Sequence, residues 1–184
     1  MRSLTLAAGI ALLALPLSAA RTATMTLGGP LSQLCYQSAL RLDDSTSSLE
    51  ACTRSLAEES MGDPDRAATY VNRGVLRMIR GNAGAADADF DAALALNRDL
   101  SDAWLNKGFL RLRQGHGKDA LPLLQEGINR KPQREALAIF ARGVAYEQMG
   151  EYDSAYADLQ RAHQLEPGWA LPSEYLADYR VVRR

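Results

Sequence analysis

Beyond about residue 60 the apolar residues fall at the three- and four-residue spacings of helices that bury one side, and they recur in blocks. Tyr70-Val71-Asn72-Arg73-Gly74, Trp104-Leu105-Asn106-Lys107-Gly108 and Ile139-Phe140-Ala141-Arg142-Gly143 return at intervals of 34 and 35 residues. The small residues keep the same register. Ala86, Ala120 and Ala155 lie twelve positions after the three glycines, Phe90, Leu124 and Leu159 four later, and Ala93, Gly127 and Ala162 three later again. Gly81-Asn82, Gly115 and Gly150 break each unit in the middle, while Pro132 and Pro167 stand near the ends of the second and third. Each unit therefore predicts a helix, a tight turn and a second helix. One such hairpin cannot bury its apolar face alone, so the hairpins must stack.

This order of residues resembles the tetratricopeptide repeat, whose signature is an aromatic, a Gly four residues on, an Ala, a large apolar residue, an Ala and a Pro. The resemblance covers Ala67 to Trp169 and implies an all-α superhelical solenoid of about three repeats (67–100, 101–134 and 136–169) within a region 64–169. In such a stack the Gly and Ala positions lie where two antiparallel helices approach, and the aromatic and Leu positions fill the space between them. Three departures stand out: Arg98 replaces the first repeat's proline, Ile139 replaces the third's aromatic, and Pro122 falls inside a helix, where a kink is expected. Arg77 and Arg111 occupy the place that Tyr146 fills in the third repeat. Two readings apply to them: internal pairing with acids such as Asp87, Asp89 or Asp119, or a basic ridge shared with Arg73, Arg80, Lys107 and Arg113 that faces an acidic partner.

The ends read differently. Residues 1–20 open with Arg2, continue as an apolar run that Pro16 interrupts, and close on Ser18-Ala19-Ala20, the pattern of an export signal cleaved after Ala20. The run is too short to span hydrocarbon, so no stable membrane span is expected after cleavage. Periplasmic or secreted localisation follows. Export gives Cys35 and Cys52 a meaning, because disulfides persist in oxidising compartments. A helix, the polar loop 43–48 and a second helix between them allow a structural disulfide; free thiols are the alternative, and the spacing is not the C-x-x-C of a redox pair. Residues 21–63 thus read as a degenerate, stapled helical hairpin that caps the stack, with Asp63 as N-cap and Pro64 at the first position of the next helix. Residues 170–184 read as a capping helix, with Pro172 to Val182 helical, giving about nine helices and no strands. The segment Arg21 to Gly29 and the pair Arg183-Arg184 are expected as loose ends.

Charge and chemistry narrow the function. Lys+Arg total 21 against 22 Asp+Glu, a net charge of -1 that offers no global attraction to nucleic acid. Two His and two Cys make a metal site improbable, and no cofactor is expected. Neither His116 nor His163 stands at a nucleophile-motif spacing, and phosphate-binding and hydrolase motifs are absent, so no enzyme is expected. Asp87 with Asp91, and Asp43-Asp44, read as solvated acids.

A stack of hairpins instead offers a concave face. By helical periodicity the residues three before and one after each repeat Gly flank it: Val71 and Val75, Leu105 and Phe109, Phe140 and Val144. Packing between repeats is the competing assignment for this apolar stripe. The resemblance adds Asn72 and Asn106, since an Asn at that repeat position in superhelical members bonds the backbone of an extended peptide; the ladder stops at Ala141. The family's carboxylate clamp is not expected, because Val71, Val75 and Leu105 hold some of its places. The function expected is a non-catalytic adaptor of the cell envelope that binds a protein or peptide in this groove. A chaperone-like holdase or assembly factor for exported clients is the alternative.

Overall fold

The computed structural model describes residues 2–6, 22–26 and 28–183. Among them lie nine helices: α1 (Pro30–Arg41), α2 (Thr46–Glu58), α3 (Asp63–Ile79), α4 (Ala83–Leu96), α5 (Ser101–Arg113), α6 (Gly117–Asn129), α7 (Glu135–Gln148), α8 (Tyr152–Leu165) and α9 (Ala170–Ala177). Sequential helices pack as the hairpins α1/α2, α3/α4, α5/α6 and α7/α8, and α3, α5 and α7 also touch one another along the stack. The fold is an all-α solenoid, as the repeat predicts.

The turn glycines do what the repeat requires of them. Gly81, Gly115 and Gly150 each take a positive φ of 76–83°. The residue after each donates its N–H to the carbonyl five back, Asn82 to Arg77, His116 to Arg111 and Glu151 to Tyr146, so the last carbonyls of α3, α5 and α7 are satisfied. The helix glycines act differently, by removing bulk. A Cβ added to Gly74 would meet Phe90 Cε1 at 2.5 Å and one on Gly108 would meet Leu124 Cγ at 2.6 Å, whereas at Gly143 the nearest atoms stand 3.3 Å away. Gly74→Ala and Gly108→Ala are expected to lose roughly 1–2 kcal/mol, because overpacking outweighs the gain in helix propensity. Gly143→Ala should change stability little. Urea midpoints of the three variants check this order.

At the N-terminal end Cys35 and Cys52 form a disulfide between α1 and α2. Both are fully buried and cluster with Ala39 and with Leu76 of α3, which fastens the hairpin to the stack. Glu59 serves the start of α1, where Gly29 has no side chain to cap it: its carboxylate accepts from Leu31 N at 2.8 Å and Ser32 N at 2.9 Å. The helix α3 starts at Asp63 itself, with Gly62 as N-cap and Pro64 inside the first turn. Pro122 lies within α6, which runs unbroken from Gly117 to Asn129.

The C-terminal end departs from expectation. The final helix α9 ends at Ala177, and the chain continues as strand β2 (Tyr179–Arg183), antiparallel to strand β1 (Arg2–Leu6) with Leu6 opposite Tyr179 and Arg2 opposite Arg183. An account without strands was therefore incorrect. Tyr179, Val181 and Val182 favour a strand, and their partner lies at the other end of the chain, where no local hairpin signal announces it. Of the expected export signal only 2–6 is described; residues 1 and 7–20 lie outside the described residues.

Candidate peptide-binding groove

The inner helices α3 and α5 carry Asn72 and Asn106 at equivalent positions, and neither side chain has any solvent exposure. A buried primary amide must find partners for a donor and an acceptor. Both find them in the segment 22–26 of the same chain. Asn72 Oδ1 accepts from Thr24 N at 2.8 Å while its Nδ2 donates to Thr24 O at 2.8 Å. Asn106 repeats the arrangement one repeat along: Oδ1 accepts from Thr22 N at 3.4 Å, and Nδ2 donates to Thr22 O at 2.9 Å and Thr22 Oγ1 at 3.2 Å. Each asparagine thus holds both main-chain groups of one residue. The bound residues are two apart, which is the period of an extended chain.

Two carboxylates complete the contact. Thr24 Oγ1 donates to Asp102 Oδ2 at 2.9 Å, and Thr26 Oγ1 to Asp65 Oδ1 at 3.0 Å. Burial pushes the Asp102 carboxyl above the usual carboxylate range, against the hydrogen bonds from Thr24 and Thr22 and the charge of Arg134. Thr22 and Thr26 are buried, whereas Met25 on the opposite side is 66% exposed. Beyond Thr22 the groove widens into a cleft of about 390 Å³ lined by Asp102, Gln133, Arg134, Ala39, Leu40 and Leu42.

The apolar stripe sits deeper than the asparagines. Val71, Val75, Leu105, Phe109, Phe140 and Val144 all belong to the main hydrophobic cluster and are buried. Leu105 fills the space left by Gly127, and Phe140 stands edge-on to Trp169 and Tyr175. Sequence reasoning placed 21–29 among loose ends and gave Asp65 and Asp102 no role. The signal that points to them is the alternation Thr22, Thr24, Thr26.

Arg73, Arg77, Lys107, Arg111 and Arg142 are engaged internally. Arg73 and Arg77 both reach Asp89, with N–O distances of 2.8 Å, and Arg142 pairs with Asp158 at 2.7 Å. Lys107 lacks an acid at the equivalent place, Leu123, and reaches back to Asp87 and Asp91 of α4; Arg111 also binds Asp87. The pairs therefore tie α3 to α4, α7 to α8, and one repeat to the next. Asp89 and Asp87 are partners the internal reading named; Asp119 is not among these pairs. Among the described residues no three His, Cys, Asp or Glu converge as a metal site would require, and no helix is long and apolar enough to cross a membrane.

Comparison with known proteins agrees with this architecture. Residues 136–169 match the family model described as Tetratricopeptide repeat. Residues 136–169 are therefore a tetratricopeptide repeat. It is 34% identical over 96 residues to "Cellulose synthase operon protein C" of Komagataeibacter xylinus, a match that covers 50% of this chain and 7% of that protein. Its fold is similar to that of "MamA 41-end from Desulfovibrio magneticus RS-1", with a TM-score of 0.63, 20% identity and coverage of 80% of this chain and 82% of that one. A structure titled "MamA RS-1 ArsTM double mutant" is similar to the same degree, with a TM-score of 0.64, 22% identity, and coverage of 80% and 82%.

Proposed function

We propose that this protein is a non-catalytic adaptor of the cell envelope, exported by residues 1–20 and losing strand β1 when they are cleaved, which holds an extended segment of a partner in the groove of α3 and α5. The observation that carries the reading is the paired main-chain contact of Asn72 and Asn106, since a peptide of any sequence offers the same N–H and C=O groups. The buried apolar stripe supports the walls, and Val71, Val75, Leu105, Phe109, Phe140 and Val144 shape the groove from beneath. Truncating Phe109 opens a cavity in the core and so tests the fold, whereas the asparagines test the site.

The expected result is that Asn72→Ala/Asn106→Ala, with unchanged helical circular dichroism, loses one or a few specific proteins from a native envelope pull-down. Peptides derived from those proteins should bind the variant at least tenfold more weakly, given that each net hydrogen bond contributes about 1 kcal/mol. Identical captures by the wild type and the variant would remove the groove from the function. Capture that survives scrambling of the peptide would favour the holdase alternative.

A further inference from the structure

We propose that residues 22–26 are a resident ligand of this groove, and that the groove takes extended segments with hydroxyl side chains at alternate positions. The inference rests on the peptide-groove reading above and adds to it what is read and what competes. Main-chain capture alone would accept any sequence. The side-chain contacts would not. Thr24 and Thr26 donate their hydroxyls to Asp102 and Asp65, a bond that a side chain without an O–H or N–H cannot make. A hydroxyl supplies that donor; an apolar side chain of the same shape leaves the carboxyl equally desolvated with one hydrogen bond fewer, which weakens binding. Thr22 and Thr26 are 6% and 4% exposed, so both side chains are taken into the groove.

The alternation follows from the geometry. One asparagine per repeat grips one residue in every two, so residues 22, 24 and 26 face α3 and α5, Met25 faces away, and Ala23 packs sideways against the cluster of Cys35, Ala39 and Cys52. Met25, on the outward side, is 66% exposed, so that position is unread. Ala141 offers no amide in the third repeat, which confines the main-chain grip to two rungs.

The segment is tethered close by, because α1 begins at Pro30. A short tether gives an effective concentration of about a millimolar, so a partner must outcompete it. Exchange of the tethered segment for a partner's segment would then set the apparent affinity.

The test uses the full chain and a labelled peptide of the sequence Arg-Thr-Ala-Thr-Met-Thr-Leu. The opened variant is Thr24→Pro, which removes the N–H that Asn72 accepts; a second opened variant lacks residues 22–26 altogether, in case the first misfolds. Anisotropy titrations should show at least tenfold tighter peptide binding to the opened variants than to the wild type. On the opened variants, the peptide with its three threonines replaced by valine should bind at least tenfold more weakly than the original. Equal affinity of the wild type and the opened variants would overturn resident occupancy. Equal affinity of the threonine and valine peptides, each dependent on Asn72 and Asn106, would overturn hydroxyl reading while leaving the peptide groove standing. No binding by well-folded opened variants would overturn the groove along with the inference. A wild-type dimer abolished by Thr24→Pro would place the segment in a second copy and overturn occupancy within one chain.

Discussion

Phe140→Ala is expected to destabilise the protein by about 3–5 kcal/mol, the usual cost of emptying a buried aromatic site. The side chain has no solvent exposure and lies in the main core cluster. Its ring centroid stands 5.0 Å from those of Trp169 and Tyr175, both in edge-on geometry. These two contacts hold α9 against the last hairpin, so the loss has a local signature as well as a global one. Denaturant midpoints should fall, and the near-ultraviolet dichroism of Trp169 should weaken even in conditions where the helical signal persists. A variant that kept the wild-type midpoint would mean that α9 docks by other contacts, and the terminal cap would need a different explanation.

Asp89→Ala is expected to cost about 3 kcal/mol, near the lower end for a buried pair that loses one partner. The Asp89 side chain is 3% exposed and serves two arginines, Arg73 at 13% and Arg77 at 27% exposure. Removing the acid leaves both guanidinium groups half-buried with no opposite charge. The exposed i,i+4 pair Arg54–Glu58, at 53% and 52% exposure, provides the control, and Glu58→Ala should change stability by no more than about 0.5 kcal/mol. Thermal unfolding of the two variants side by side separates the outcomes. If Asp89→Ala were as mild as Glu58→Ala, Arg73 and Arg77 would not depend on this acid, and a ridge available to an acidic partner would return as the better account.

The repeat was legible because helix packing is local and periodic. A glycine at position 74 implies a large residue sixteen positions later, Phe90, and the same rule places Leu124 opposite Gly108 and Leu159 opposite Gly143. Of the ion pairs, those of Arg77 with Asp89 and Arg111 with Asp87 were legible as internal pairing, whereas Arg73–Asp89 and Arg142–Asp158, which share that sixteen-residue interval, were not read. The remainder depends on distant partners. The strands β1 and β2 join the two ends of the chain, and nothing in Tyr179-Arg180-Val181-Val182 names its partner. The contacts of 22–26 span 48 and 84 residues and are made largely to main chain, which carries no sequence signature. Only the asparagine side of that contact could be read in advance, from the resemblance. The apolar stripe was harder to assign, because helical phase places Val71 and Leu105 on an inward face without saying whether that face meets a ligand or the neighbouring helix.

The most direct test of the account is amide hydrogen exchange at Thr22 and Thr24 in the full chain, followed by nuclear magnetic resonance. If Asn72 and Asn106 hold an extended segment by its main chain, both amides exchange slowly in the wild type and lose that protection in Asn72→Ala/Asn106→Ala, while the core helices stay protected. Exchange at the rate of an unstructured peptide in the wild type, or protection that survives removal of both asparagines, would contradict it.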